Sequence, residues 1–346
     1  MDRRRYLILG SGLLSTIAGC SETETPQKVT SSNGQATQGG TDTAAGDTDT
    51  GDSTEQETTN EETGGTGEFI VGEEITGKQL SMVVRSKTTT KELDQFQEAD
   101  SGNEFVVVEL AIKNTSSDEF VGFSGLLQTR LKDSEGYTYQ QAFASTGQNL
   151  RGGQIAPGEV ARGDMVYEVP TDADGLTLQF DFSGISLFNL ERAIVNLDSE
   201  ASSVANLEQN LKVETYAVGD TVEYKGTKVA VNDVSTTESL GEFTEADSGK
   251  EFVVIDISTT NETGEKQTIS TIVQMLLKDG EGFSYQEDLM ATSSLDRNYE
   301  QGSPLADGET RRGRLAYEVE AGLSPLYWIF DFSLWTEQDK TFWKIR

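Results

Sequence analysis

Apolar and polar residues alternate along short runs of this chain. Leu176, Leu178, Phe180 and Phe182 are separated by Thr177, Gln179 and Asp181, and the same spacing returns in Leu326, Trp328, Phe330 and Phe332. A period of two sends successive side chains to opposite faces of a strand, so each run predicts a strand with one face in a core. Val106, Val108, Leu110 and Ile112 form another such face, as do Val253, Ile255 and Ile257. Met165 to Val169 and Leu315 to Val319 place Tyr167 and Tyr317 inward between apolar neighbours. No helical period is sustained from residue 68 to the end.

The pattern occurs twice. Phe96 to Val108, read FQEADSGNEFVVV, returns 147 positions later as FTEADSGKEFVVI. After Asn114 and Asn261, Leu126 to Gln140 matches Ile272 to Gln286 at a shift of 146, so a loop has lost one residue. Within this stretch two short runs joined by Asp-x-Glu-Gly read as a β-hairpin, with Gly136 and Gly282 supplying the positive φ. The turns Ala156-Pro157-Gly158-Glu159 and Ala306-Asp307-Gly308-Glu309 follow at a shift of 150. Final strands are expected at residues 192–197 and 341–345. Seven or eight short strands per repeat predict an all-β fold, two tandem immunoglobulin-like β-sandwiches over residues 68–197 and 215–346. Residues 198–214 form a polar linker with room for a short helix.

The repeated motifs are Gly-x-Glu-Phe-Val-Val, the Asn that ends that strand, Asp-x-Glu-Gly-Tyr/Phe, Pro-Gly-Glu or Asp-Gly-Glu, and Tyr-Glu-Val. In these both copies resemble the telokin-like, immunoprotective-extracellular-protein type of immunoglobulin-like domain, frequent in bacterial and archaeal lipoproteins. The resemblance implies the fold; turn and core signals of this kind say little about activity.

Charge then changes the picture. The 346 residues include 59 acids, 27 Lys and Arg and no His, for a net charge of −32. Such a surface excludes nucleic acid as a partner, because that binding depends on Lys and Arg contacts to phosphate. Its self-repulsion is screened at about 1 M salt, where the Debye length is roughly 3 Å, which fits a salt-loving source.

The amino terminus resembles a twin-arginine export signal, residues 1–19, with its pair drawn from Arg3, Arg4 and Arg5. The segment Ile17-Ala18-Gly19-Cys20 is similar to a lipobox, with Ile17 in place of the usual leucine, so Cys20 is expected to carry a lipid anchor on the outer face of the cell membrane. As the lone cysteine it has no disulfide partner within the chain. Residues 20–67, rich in Thr, Gly, Asp and Glu, offer nothing to bury and are expected to form a disordered stalk.

Candidate chemistry is sparse. Glu98, Asp100 and Glu104, with Glu245, Asp247 and Glu251 in the second copy, could join Asp133 and Glu135 or Asp279 and Glu281 as a weak divalent-cation site. Asn114 and Asn261 each begin a glycosylation sequon, and each also suits a backbone cap at a strand end. Without histidine the usual general base and zinc ligand are missing, and no nucleophile elbow or phosphate loop is present. These patterns predict no enzyme and no cofactor. Tyr327, Trp328, Trp335, Phe342 and Trp343 cluster near the carboxyl terminus: Trp328 and Trp343 suit the core, Tyr327 and Trp335 an exposed edge. The expected function is a non-enzymatic surface lipoprotein that binds a protein or glycan partner or organises the envelope. The alternatives are a ligand- or cation-capturing lipoprotein and, last, a carboxylate-based hydrolase.

Overall fold

The structure is a computed structural model that describes residues 27–28, 65–182, 188, 190–241, 243–332 and 340–346. Arg3, Arg4, Arg5, Cys20 and Trp335 lie outside the described residues.

Each repeat is a two-sheet sandwich. In the first, Thr138–Tyr139, Thr129–Lys132, Thr177–Asp181, Arg192–Glu200 and Thr66–Val71 form one sheet. Val160–Pro170, Asn103–Asn114, Leu80–Thr90 and Glu74–Thr76 form the other. The second repeat is built alike, with Ser284–Tyr285, Met275–Asp279, Leu326–Asp331, Lys340–Lys344 and Thr215–Ala217 facing Thr310–Glu320, Lys250–Asn261, Thr227–Thr237 and Thr221–Tyr224. In both, the first strand pairs parallel with the last, so each domain closes where it began.

The alternating residues fill the space between the sheets. Leu178, Phe180, Val106 and Tyr167 in the first domain, and Trp328, Phe330, Trp343 and Tyr317 in the second, are fully out of solvent. The tyrosines keep partners in the core, as buried hydroxyls must. Tyr167 Oη lies 2.8 Å from Thr129 Oγ1, and Trp328 Nε1 donates to Tyr317 Oη over 3.1 Å. Burial pushes the Tyr167 hydroxyl up to about 12. The long central strands are apolar on both faces because both are covered: Ala111 and Val83 on the outer side pack with Val160 and Leu207, as expected for strands read as continuous apolar runs.

The hairpins form as the turn chemistry requires. Gly136 and Gly282 take φ of 95° and 100°. Asp133 Oδ1 accepts the Tyr137 amide and Oδ2 the Tyr139 hydroxyl; Asp279 holds its own turn in the same way through Phe283 and Tyr285.

Three expectations are corrected. Leu126 to Gln128 and its repeat are single helical turns, Gly125–Gln128 and Thr271–Gln274, rather than strand. The Gln128 and Gln274 carbonyls fold back to accept the Ser124 and Ser270 amides. The linker is extended, not helical, because its backbone pairs with the first domain: Asn210 N donates to Gly158 O and Lys212 N to Pro157 O, each over 2.9 Å. Within the expected stalk, Gln27–Lys28 is a short strand paired antiparallel with Thr221–Tyr224, and Lys28 Nζ lies 2.6 Å from Asp220.

Candidate functional site

The residues that matter most begin as turn residues. Asn114 ends its strand fully buried, its Nδ2 donating to Glu119 O and Ile155 O and its Oδ1 accepting from Ser116. Asn261 repeats this with Glu265 O, Leu305 O and Thr263. Both Nδ2 hydrogens are therefore engaged inside the fold, at the atom a glycan would join. The two asparagines clamp the strand end to the Pro-Gly-Glu or Asp-Gly-Glu turn, and the glutamate completes it. Glu159 Oε2 accepts the Ala156 amide over 2.8 Å, and Glu309 Oε2 the Ala306 amide over 2.9 Å.

Here the copies part. Glu159 Oε1 accepts from Lys278 Nζ and Lys340 Nζ, both at 2.6 Å and both from the second domain. Side-chain exposure is 0% for Glu159 and 2% for Lys278. Burial alone would push the Glu159 carboxyl up; the two ammonium groups outweigh it and hold it down at about 2. Burial drives Lys278 down to about 8, against the pull of Glu159. A buried ion pair of this kind is costly to desolvate and is held by its geometry, so removing one member is far worse than replacing both.

Apolar contacts surround the triad. Ala156, Ile329 and Phe342 are fully buried together, with Tyr327, Leu211 and Val213 packed against them. A second seam runs beside it. Arg162 N donates to Gly282 O over 3.0 Å, and the guanidinium stacks 4.3 Å from the Phe283 ring centre while bonding Glu109 and Glu281. Two glycines are required at this joint. A Cβ on Gly158 (φ +75°) would fall 1.7 Å from Asn210 O, and one on Gly282 (φ +100°) 2.7 Å from Val160 O. Gly308, the copy of Gly158, has open space.

Between the two seams lies a cleft of about 670 Å³, lined by Phe123, Arg151, Gln154, Ile155 and Arg162 from the first domain and by Leu276, Lys278, Ile329, Asp331 and Lys340 from the second. That volume falls within the range of small-molecule sites, and a junction between domains is a usual place for one. Four cations and two carboxylates face it, in a chain of net charge −32. Arg151 Nη1 is shielded from solvent and has no hydrogen-bond partner among the described residues; Gln154 Oε1 is in the same condition. Buried polar atoms are nearly always satisfied, so two orphans in one cleft call for an explanation. Burial also lowers the Arg151 pKa.

The acidic turns are not drawn together. The Asp100 and Asp247 amides donate to Glu168 and Glu318 of the Tyr-Glu-Val strands, Asp247 pairs with Lys250, and Glu251 with Arg346 and the Gly322 amide. Among the described residues no group of three or more acids is arranged to hold a metal ion. Trp328 and Trp343 lie in the core as expected. Tyr327, expected at an exposed edge, is half-buried instead, because the first domain's turn covers that face. Glu159, Lys278, Lys340 and Arg151 escaped sequence reasoning. A signal existed: Tyr327 and Ile329 are apolar where the first copy has Thr177 and Gln179.

Residues 69–187 and 216–341 each match a family described as a domain of unknown function (DUF4352). The matches take in more than half of the chain, which therefore belongs to that family. Among curated proteins none matches it. Similar solved structures include a conserved hypothetical protein from Bacillus anthracis, 20% identical over 38% of this chain and 96% of that one, with a TM-score of 0.31. An uncharacterized β-sandwich protein from Clostridium difficile is 17% identical over 40% of this chain and 98% of its own, TM-score 0.28. A secreted protein from Mycobacterium tuberculosis, MPT63, is 14% identical over 37% and 95%, TM-score 0.29.

Proposed function

We propose that this DUF4352 protein is an exported, non-enzymatic lipoprotein, anchored at Cys20 after twin-arginine export by Arg3, Arg4 and Arg5, that captures a small solute in the cleft between its two sandwiches. The observation that carries the reading is the cleft itself: walls from both domains, a volume of about 670 Å³, and two shielded polar atoms without partners. The joint supports it, since a docked linker and a buried ion triad hold both walls in register without a ligand. The acidic exterior suits a salt-rich surrounding, where it is screened.

Native mass spectrometry of the full-length protein released from membranes tests capture. A bound small molecule is expected that unfolding strips, and that Gly122→Trp excludes by placing an indole where a Cβ meets only the Gln154 amide. Native and unfolded masses that agree for each protein, with no small molecule on either, would sink capture. Anchoring is tested separately: Cys20→Ala is expected to leave the detergent phase and appear in the medium, and retention in the membrane would count against a lipid anchor. Phe96 and Phe243, equivalent in the repeat and 85% and 94% exposed, favour a second reading, adhesion to a protein or glycan partner through the domain tips.

A further inference from the structure

We infer that the cleft takes a small organic carboxylate that also carries a hydroxyl or amino donor, with Arg151 as its anchor; this rests on the capture reading. The polar groups of the cleft differ in what they have left to offer. Glu159 is occupied by two lysines and by the Ala156 amide, and Arg162 by Glu109 and Glu281. Arg151 Nη1 is a buried donor with nothing to donate to, and Gln154 Oε1 a buried acceptor with nothing to accept among the described residues. A guanidinium presents a planar fork that matches a carboxylate, and a charge-assisted bond formed away from water is among the stronger ones available. The unsatisfied acceptor in the same cleft selects a ligand with a donor of its own. Four cations and two acids line the cleft, but Glu109 and Glu281 neutralise Arg162 and Glu159 one of the two lysines, so the attraction for a negative ligand rests on Arg151 and the remaining lysine charge, with Asp331 opposing it.

The remaining lining points to the body of the ligand. Phe123, Leu127, Ile155, Val273, Leu276 and Ile329 give apolar walls on both sides. A bare inorganic ion would leave those walls against water. An acid with a short aliphatic chain covers them.

Calorimetric titration of the full-length protein in high salt tests this with 2-hydroxyhexanoate, hexane-1,2-diol, which lacks the carboxylate, and inorganic phosphate. Saturable binding of the hydroxy acid is expected, with the diol and phosphate each much weaker. Arg151→Gln should weaken the hydroxy acid about tenfold or more, the ratio that one lost charged hydrogen bond commands. Arg151→Lys, which keeps the charge without the fork, should fall between. Thermal midpoints show whether each variant folds; Arg151 Nη1 has no hydrogen bond to lose and the guanidinium only a charge interaction with Asp331, so the midpoints are expected to fall little. Diol binding as tight as the acid's, or an acid affinity unchanged in Arg151→Gln, overturns the carboxylate anchor while leaving capture standing. Preference for phosphate, or no binding of the acid at all, also overturns it. Failure of capture is read elsewhere, in the absence of any bound mass from the native protein.

Discussion

The outer faces of the two corresponding sheets are built from matching positions and have opposite fates. In the first domain that face carries Arg130, Lys132, Thr177, Gln179, Arg192 and Ile194, all exposed or half-buried. In the second the same places hold Leu276, Lys278, Tyr327, Ile329, Lys340 and Phe342, and Lys278, Ile329 and Phe342 are buried. The inward phase stayed buried in both copies even where its size changed, from Leu178 and Val195 to Trp328 and Trp343, because it must fill a core in each. The outward phase was free to drift, and a few apolar replacements on one copy turned a solvated face into a joint. Lysine occupies equivalent positions 132 and 278; only its surroundings make it a surface charge in one case and a buried ion in the other.

The largest test of this contrast is Glu159→Gln against Glu309→Gln. Removing the carboxylate at 159 leaves Lys278 buried without its counter-ion, and a loss of about 3–5 kcal/mol is expected by denaturant unfolding. Glu309 is 46% exposed and serves its own turn and a distant arginine, so its change should cost about 1 kcal/mol or less. Adding Lys278→Met to Glu159→Gln should recover part of the first loss, since both buried charges are then gone. Equal effects of the two single changes would mean the joint contributes nothing.

Acid gives the next effect. Glu159 titrates below its unfolded value, so the stability it confers is complete above about pH 4.5 and is lost as the pH falls toward about 2. Integrated over that window the loss is on the order of 3 kcal/mol. It should appear as a difference between wild type and Glu159→Gln that closes on acidification. Lys278, held down at about 8, adds stability as the pH rises from there toward 10.5, so its contribution has the same sign. A difference that widened in acid would contradict the assignment of the charges.

The smallest effect comes from exchanging the outward residues. Ile329→Gln, which makes the second copy like the first, should cost roughly 2–4 kcal/mol by leaving an amide in an apolar joint. Gln179→Ile, the reverse change on the solvated face, should stay within about 0.5 kcal/mol. Comparable losses from both would place the interface elsewhere.

Much of the fold was legible because alternation reports directly which side chains share a core. Leu176 to Phe182 and its repeat, the inward tyrosines, and the glycine-bearing hairpins all follow from local rules. Gly125–Gln128 was misread because a single helical turn is too short to establish a period, and its closure depends on one glutamine folding back. The joint was harder still. Glu159 reads as a turn acid and Lys278 as a strand-edge lysine, and nothing local marks either as buried. Arg151 sits in a polar loop without a motif. Ile329 broke the polar phase of its strand, and comparing the copies position by position would have exposed it. Of the carboxyl-terminal aromatics, expected to include an edge for an outside partner, Tyr327 and Phe342 meet the chain's own first domain.

The short strand Gln27–Lys28 sets a leash length. If lipid is joined at Cys20, six residues separate it from a segment stitched to the edge of the second sandwich. Fully stretched, six residues cover about 20 Å. The edge of the later sandwich in sequence is then held within that reach of the bilayer.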